Sequence, residues 1–217
     1  MLVTLKSQIG EKTESWAVRI KESGEKSISV DCLKEFDQLY SRNIITILFG
    51  EDLSNSKLSI AFRKTETGKE FEEKTVILSD AFNEVNDQIM ACMVQKLLNP
   101  LQPIVTFFTR RTRSFTRYQR TATDNCLAIR SYVRNYIADR KAGKVESTVE
   151  NKDDLLSVFL SHSETFTDEY IIDELCSLYF ASVATSGLAS ATLLSHFIND
   201  PISLAKVRAE LNQEIED

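Results

Sequence analysis

A mainly α-helical fold with few strands is what this 217-residue sequence predicts, and three features carry the prediction. Apolar residues recur three or four positions apart through most of the chain, the spacing of helices with one buried face. Only three prolines and six glycines interrupt it, fewer than a turn-rich β architecture needs. The helical runs also stop at Gly50, Asn99-Pro100, Gly143 and Asp200-Pro201, residue types that end helices.

Taken in order, Asp31 is a candidate N-cap, and Leu33, Phe36, Tyr40, Ile44, Ile47 and Leu48 share one face of a helix that Gly50 stops. Between Glu51 and Ser79 the pattern weakens. LSIAFRK and KTVIL, around the charged TETGKEFEE, read as two short strands or as an irregular excursion. Ser79 is placed to cap the next helix, where Phe82, Val85, Ile89, Met93 and Leu97 repeat. LQPIVTFFTRR links to a long amphipathic helix with Cys126, Ile129, Val133 and Tyr136 in register, and KDDLLSVFLS forms a short one. Thr167 opens the longest helix, with Asp168 and Glu169 in the first turn, where the helix dipole favours negative charge. Leu204, Val207, Arg208 and Leu211 mark a last amphipathic helix. No repeat or boundary signal divides residues 1–217, which read as a single domain.

The formal net charge is -6 and the isoelectric point about 5.2, so no global basic field exists to hold a polyanion, and no nucleic-acid partner is expected. Cys32, Cys92, Cys126 and Cys176 form no C-x-x-C pair and none lies near His162 or His196 in sequence, which gives a zinc site little support. They are expected to be reduced, buried thiols. Lys6, Glu11, Lys12 and Glu14 interrupt the first twenty residues, so no secretory signal is expected there. Glycine-rich phosphate loops, H-E-x-x-H and G-x-S-x-G are absent from the sequence.

Two stretches stand out. From Leu175 to Asn199 there is no Asp, Glu, Lys or Arg, a length sufficient for a bilayer, which needs about 20 residues. Serines and threonines dilute it, and Ser182, Ser186 and Ser190 form a small-residue stripe that suits close helix packing. Because acidic residues begin the helix, a soluble core is the favoured reading. The second stretch, RRTRSFTRYQR at residues 110–120, follows PIVTFF. Cations among aromatics can grip a single strand of nucleic acid, or form a solvated helix start; with the apolar residues before them they suit an anionic membrane surface across residues 103–120.

The order of four landmarks resembles the cytochromes P-450, the haem-thiolate monooxygenases. LYSRNIITILFGEDLS resembles the family's helix ending in F-G-x-x-L/I, with Phe49 and Gly50 as the match. SYVRNYIADRKAG followed by KDDLLSVFLS resembles its long helix ending in I-x-x-R and then its D-L-L helix. FTDEYIIDELCSLYFASVATSG resembles its central helix with the A-G-x-D/E-T-T motif, and HFINDPISLAKVRAELNQEI the proline-started helix that follows. The resemblance covers nearly the whole chain. It implies a cytochrome P-450-like helical region, haem b as cofactor, an apolar small-molecule substrate, dioxygen, and an NADPH-dependent reductase or other electron donor. It also implies the cytoplasmic side of the endoplasmic reticulum membrane.

On this alignment Ala181, Ser182, Ala184 and Thr185 face the haem, and Thr185 is the threonine whose hydroxyl helps deliver protons during oxygen activation. Two positions depart from the family: its glycine is Ser182 and its acid is Ala184. No cysteine here lies in F-x-x-G-x-R-x-C-x-G, and no arginine follows a glutamate by three positions, so the E-x-x-R pair is missing too. The chain therefore resembles the middle of such an enzyme, expected to be inactive as a truncated chain. The alternative expectation is a non-catalytic helical module that makes protein or membrane-surface contacts.

Overall fold

The computed structural model describes residues 2–24, 29–53, 56–64, 70–98, 117–148 and 154–216. Seven helices and two strands occur among them: α1 Leu2–Ser23, α2 Cys32–Phe49, β1 Lys57–Arg63, β2 Phe71–Ile77, α3 Leu78–Leu98, α4 Arg117–Lys141, α5 Leu155–Ser161, α6 Asp168–Asn199 and α7 Pro201–Glu216. The fold is mainly α, as the periodicity predicts. The chain divides into two compact units, Ser41–Phe180 and the pair Met1–Tyr40 with Ala181–Asp217.

In the first unit, Ile45, Leu48 and Phe49 of α2, Leu78, Phe82 and Val85 of α3, and Ile129, Val133 and Ile137 of α4 are all buried. Leu156 of α5 and Ile171, Ile172, Leu175 and Tyr179 of α6 are fully buried as well. Each such side chain contributes roughly 1.5–3 kcal/mol when taken out of water. The weak region after Glu51 is a two-stranded antiparallel hairpin, with Lys57 opposite Ile77 and Ala61 opposite Glu73. A lone hairpin is marginal in water. Here Asn125 of α4 fastens it: its side-chain oxygen accepts from the Ala61 amide at 2.9 Å while its Nδ2 donates to the Ala61 carbonyl at 2.8 Å. Gln88 of α3 donates to the same carbonyl at 3.0 Å.

Three sequence expectations need correction. Leu33 is exposed and Ile44 and Ile47 half-buried, whereas Ser41 and Ile45 are buried with Phe49, so the buried face of α2 is turned from the apolar stripe. The reason is that a satisfied polar group can occupy a core position: Ser41 Oγ shares a hydrogen bond with the Tyr179 hydroxyl, which donates to Asn83 Oδ1 at 2.8 Å. Ser79 does not cap α3, because the helix already includes Leu78, whose amide donates to the Ser56 carbonyl at 2.9 Å. The repeat in α3 is buried only in its first half; Met93 and Leu97 are exposed.

Asp31 and Thr167 cap their helices as the sequence reading expects, and Asp200, read there only as the end of the long helix, caps α7. Asp31 accepts from the Lys34 amide at 3.2 Å, Thr167 Oγ1 from the Tyr170 amide at 3.3 Å, and Asp200 Oδ1 from the amides of Ile202 and Ser203 at 3.1 and 3.3 Å. Gly50 and Gly143 end α2 and α4 with φ of 74° and 69°, in the left-handed region that favours glycine.

The second unit holds α1, the start of α2, α6 from Ala181 onward, and α7. The sequence reading gives α1 no element, since its residues are mostly polar and exposed. Glu35 of α2 pairs with Lys12 and, at 3.0 Å, with Arg19; the Lys12 hydrogen bond comes first among the causes that hold its carboxyl below the usual glutamate range. The Asp37 carboxylate lies where a Cβ on Gly187 would sit, and the Tyr40 and Ser190 hydroxyls are hydrogen-bonded at 2.8 Å. A glycine and a small serine in α6 are what allow that approach.

Candidate functional site

Three landmarks that are spread over about a hundred residues of sequence meet at one point in the Ser41–Phe180 unit. Gly50 ends α2 at a place where a side chain is impossible, because the Asp154 carboxylate and the Ser147 hydroxyl occupy the space its Cβ would need. The Gly50 carbonyl accepts from the Thr148 amide at 2.7 Å and from the Thr148 hydroxyl at 2.9 Å. Asp154 caps α5 through the Ser157 amide at 2.8 Å and accepts from Arg140 Nη2 at 3.1 Å. Arg140 also donates to Ser157 Oγ at 2.7 Å. Beside this node Phe49 and Tyr136 meet edge to face at 5.5 Å, and the Tyr136 hydroxyl donates to Glu51 at 2.8 Å. Burial and then Glu51 push the Tyr136 hydroxyl's pKa far above its ordinary value.

F-G, I-x-x-R and D-L-L are thus one buried polar junction between α2, α4 and α5. Sequence reasoning quotes all of these residues as landmarks without seeing that they touch. The signal that could reveal it is the chemistry of each position: a helix-stopping glycine, a helix-ending arginine and a helix-starting aspartate, each at the end of a helix.

The nominated residues of α6 lie in the Ala181–Asp217 part of the chain. Ala181, Ala184 and Thr185 are exposed, Ser182 is half-buried and Val183 is buried. The helical spacing of 181, 184, 185 and 188 places the first three on one face with exposed Leu188. Small side chains there leave the backbone accessible. Thr185 donates its hydroxyl proton to the Ala181 carbonyl at 2.7 Å, the local back-bond by which threonine satisfies itself within a helix. Gly187, by contrast, is buried. The serine stripe faces elsewhere: Ser182, Ser186 and Ser190 are half-buried.

By length and composition alone, α6 could cross a membrane; its most apolar window is 17% buried. The basic stretch at residues 110–116, with most of the 103–120 surface, lies outside the described residues. Of the part described, Arg117 and Arg120 are exposed and Tyr118 is half-buried against Phe71, ring centroids 5.7 Å apart.

The described residues do not fit haem as an axial thiolate ligand set. Cys176 is buried, and desolvation pushes its thiol up to about 12; burial likewise raises Cys126. Burial thus opposes a free thiolate at both positions, and neither cysteine lies in the F-x-x-G-x-R-x-C-x-G setting of the family's iron ligand. The remaining two, Cys32 and Cys92, are half-buried, so the expectation of buried thiols holds fully only for Cys176. No group of three metal-ligating side chains occurs among the described residues. Ala181 and Ala184, exposed on one face with Thr185, offer no ligand atom to iron.

A comparison with curated proteins finds no match. The sequence profile of the cytochrome P450 family, in contrast, matches residues 5–217, nearly all of the chain and all four landmarks. This protein belongs to the cytochrome P450 family, a family of haem-dependent monooxygenases.

Proposed function

We propose that this chain carries the oxygen-facing helix of a monooxygenase acting on an apolar organic substrate, with Thr185 as the proton-handling residue, Ala181 and Ala184 lining the haem face, and Ser182, half-buried on another side of the helix, at its margin. The observation behind this reading is the common exposed face of Ala181, Ala184 and Thr185 in a family member whose profile matches residues 5–217. Bound haem supplies the oxidising chemistry in this family. The chain's own contribution is a hydroxyl proton at Thr185 Oγ1, bonded to the Ala181 carbonyl, and a helix face of small, exposed side chains at Ala181 and Ala184. Ala184 leaves Thr185 without the carboxylate that the family motif supplies one position earlier, so proton delivery depends on Thr185 and solvent. Electrons come from a reductase or another donor protein.

We infer in addition that the four cysteines of this chain do not form the haem-thiolate bond, because none of them lies in the F-x-x-G-x-R-x-C-x-G setting that holds the iron in this family. The test is to add haem to the purified chain, reduce it and add carbon monoxide. No thiolate-type absorption band is expected; its appearance would overturn the inference.

A second reading, contact with an anionic membrane surface, has one observation in its favour. Met90, Met93, Val94 and Leu97 of α3 are exposed at 51, 52, 48 and 82% and fall on one helical stripe just before residues 103–120. Sedimentation with anionic liposomes should fall when Arg110, Arg111 and Arg113 are changed to Glu. Unchanged binding would remove this reading.

A further inference from the structure

Three of the four cysteines, separated by 34 and 50 positions in sequence (92 to 126, 126 to 176), come together from three helices of the Ser41–Phe180 unit. Cys126 of α4 and Cys176 of α6 both line a single cleft of about 200 Å³ with Ile129, Ser177 and Phe180. Arg130 and Asp173, ion-paired to one another, complete the lining. Cys92 of α3 lies near enough to Cys126 to influence its ionisation. No part of the monooxygenase reading uses this cleft.

We propose that Cys126 and Cys176 form a two-thiol chelating site for a trivalent organoarsenical. The surroundings select that class of ligand. Both thiols are held protonated by burial, which disfavours chemistry that begins with a thiolate, such as alkylation or peroxide attack. An arsenoxide, R–As=O, condenses with two neutral thiols: two S–H bonds and the As=O bond break, two As–S bonds form, and one water leaves. Arsenic stays trivalent and no electrons are exchanged. The product is uncharged, so burial beside Ile129 and Phe180 does not oppose it. A bivalent soft cation held by two thiolates would instead bring charge into the cleft, where Arg130 is already neutralised by Asp173 and by Glu169 at 2.9 Å. Phe180 offers an aromatic wall to an aryl group on arsenic. An inserted atom between the sulfurs also relaxes the strict Cβ separation, about 3.8 Å, that a direct disulfide demands.

The probe is phenylarsine oxide added to the reduced 217-residue chain, followed by intact mass measurement. One adduct per chain, formed with loss of one water, is expected; it should survive a monothiol and be removed by a dithiol. Cys126→Ala and Cys176→Ala should each abolish the monothiol-resistant adduct, while Cys32→Ala should keep it. A measurement on the unaltered chain guards against a variant that fails to fold: arsenical loading should protect Cys126 and Cys176, and no other cysteine, from later maleimide labelling in denaturant. Protection of Cys92 in place of Cys176, or no dithiol-reversible adduct on the folded chain, would overturn the proposal.

Discussion

Arg140 and Asp154 form an ion pair at 3.1 Å in which the side chains are 5% and 0% exposed. Burial of both charges is costly, and the pair persists because Asp154 also caps α5 and accepts from the Ser157 hydroxyl at 2.6 Å. Removing one partner is therefore worse than losing the pair. Asp154→Ala is expected to destabilise the chain by roughly 3–5 kcal/mol, since it leaves Arg140 buried without a counter-charge. Urea denaturation measures it, and a loss below about 1 kcal/mol would mean that water reaches Arg140.

Gly50 and Gly143 separate two costs of replacing a glycine. Both have positive φ, but only Gly50 would drive a Cβ into Asp154 and Ser147, while Gly143 has nothing within 4 Å. Gly143→Ala should cost about 1–2 kcal/mol, the left-handed penalty alone. Gly50→Ala should cost clearly more, because the Asp154 node must shift as well. Equal losses in thermal or urea unfolding would show that the node yields freely.

Asn125 holds the β1–β2 hairpin through both Ala61 backbone groups, and its Nδ2 also bonds Gln88 Oε1 at 2.9 Å. Asn125→Ala leaves buried polar groups unpaired, at about 1–3 kcal/mol. Hydrogen exchange should localise the loss: amide protection in β1 should fall before that in α4 does. A uniform fall would point instead to global destabilisation.

Glu169 links Arg130 at 2.9 Å and Arg134 at 2.7 Å. The Arg134 hydrogen bond, followed by that of Arg130, lowers its pKa from the ordinary 4.5. A carboxyl with a lowered folded-state pKa contributes stability that is present above 4.5 and is lost as pH falls through its folded value. The melting-temperature difference between the original chain and Glu169→Gln should thus be present at pH 7 and shrink in acid. The residue is exposed, so the difference is small. One that grows in acid would contradict the assignment.

Thr185→Val tests whether the hydroxyl has a role besides folding. Thr185 is exposed and its only described hydrogen bonds go to its own helix, to the Ala181 carbonyl and, at 3.4 Å, to that of Ser182. Stability should change by no more than about 0.5 kcal/mol, as for other surface positions. A large loss in unfolding experiments would make Thr185 a structural residue and weaken the proton-handling proposal.

Much of the helical architecture was legible because it is local. Asp31 and Thr167 cap the helices they precede, and Gly50 and Gly143 end theirs, since capping and left-handed turns depend on a few neighbouring residues. The family was legible for a related reason: four landmarks keep their order and spacing whether or not their contacts are known. Thr185 and its neighbours could be nominated from that order, but not their exposure.

What only tertiary structure decided are the meetings of distant residues. That Gly50, Arg140 and Asp154 share one buried junction, that Ser41 and not Ile44 is buried, and that Cys126 and Cys176 line the same cleft all depend on how helices pack. Periodicity names the apolar side of a helix, yet it counts a polar residue as exposed even when a partner such as the Tyr179 hydroxyl satisfies it. Sequence by itself determined most of the helices, several of their ends and the family; packing determined which side chains stand beside one another, because each of those contacts joins residues that the chain keeps far apart.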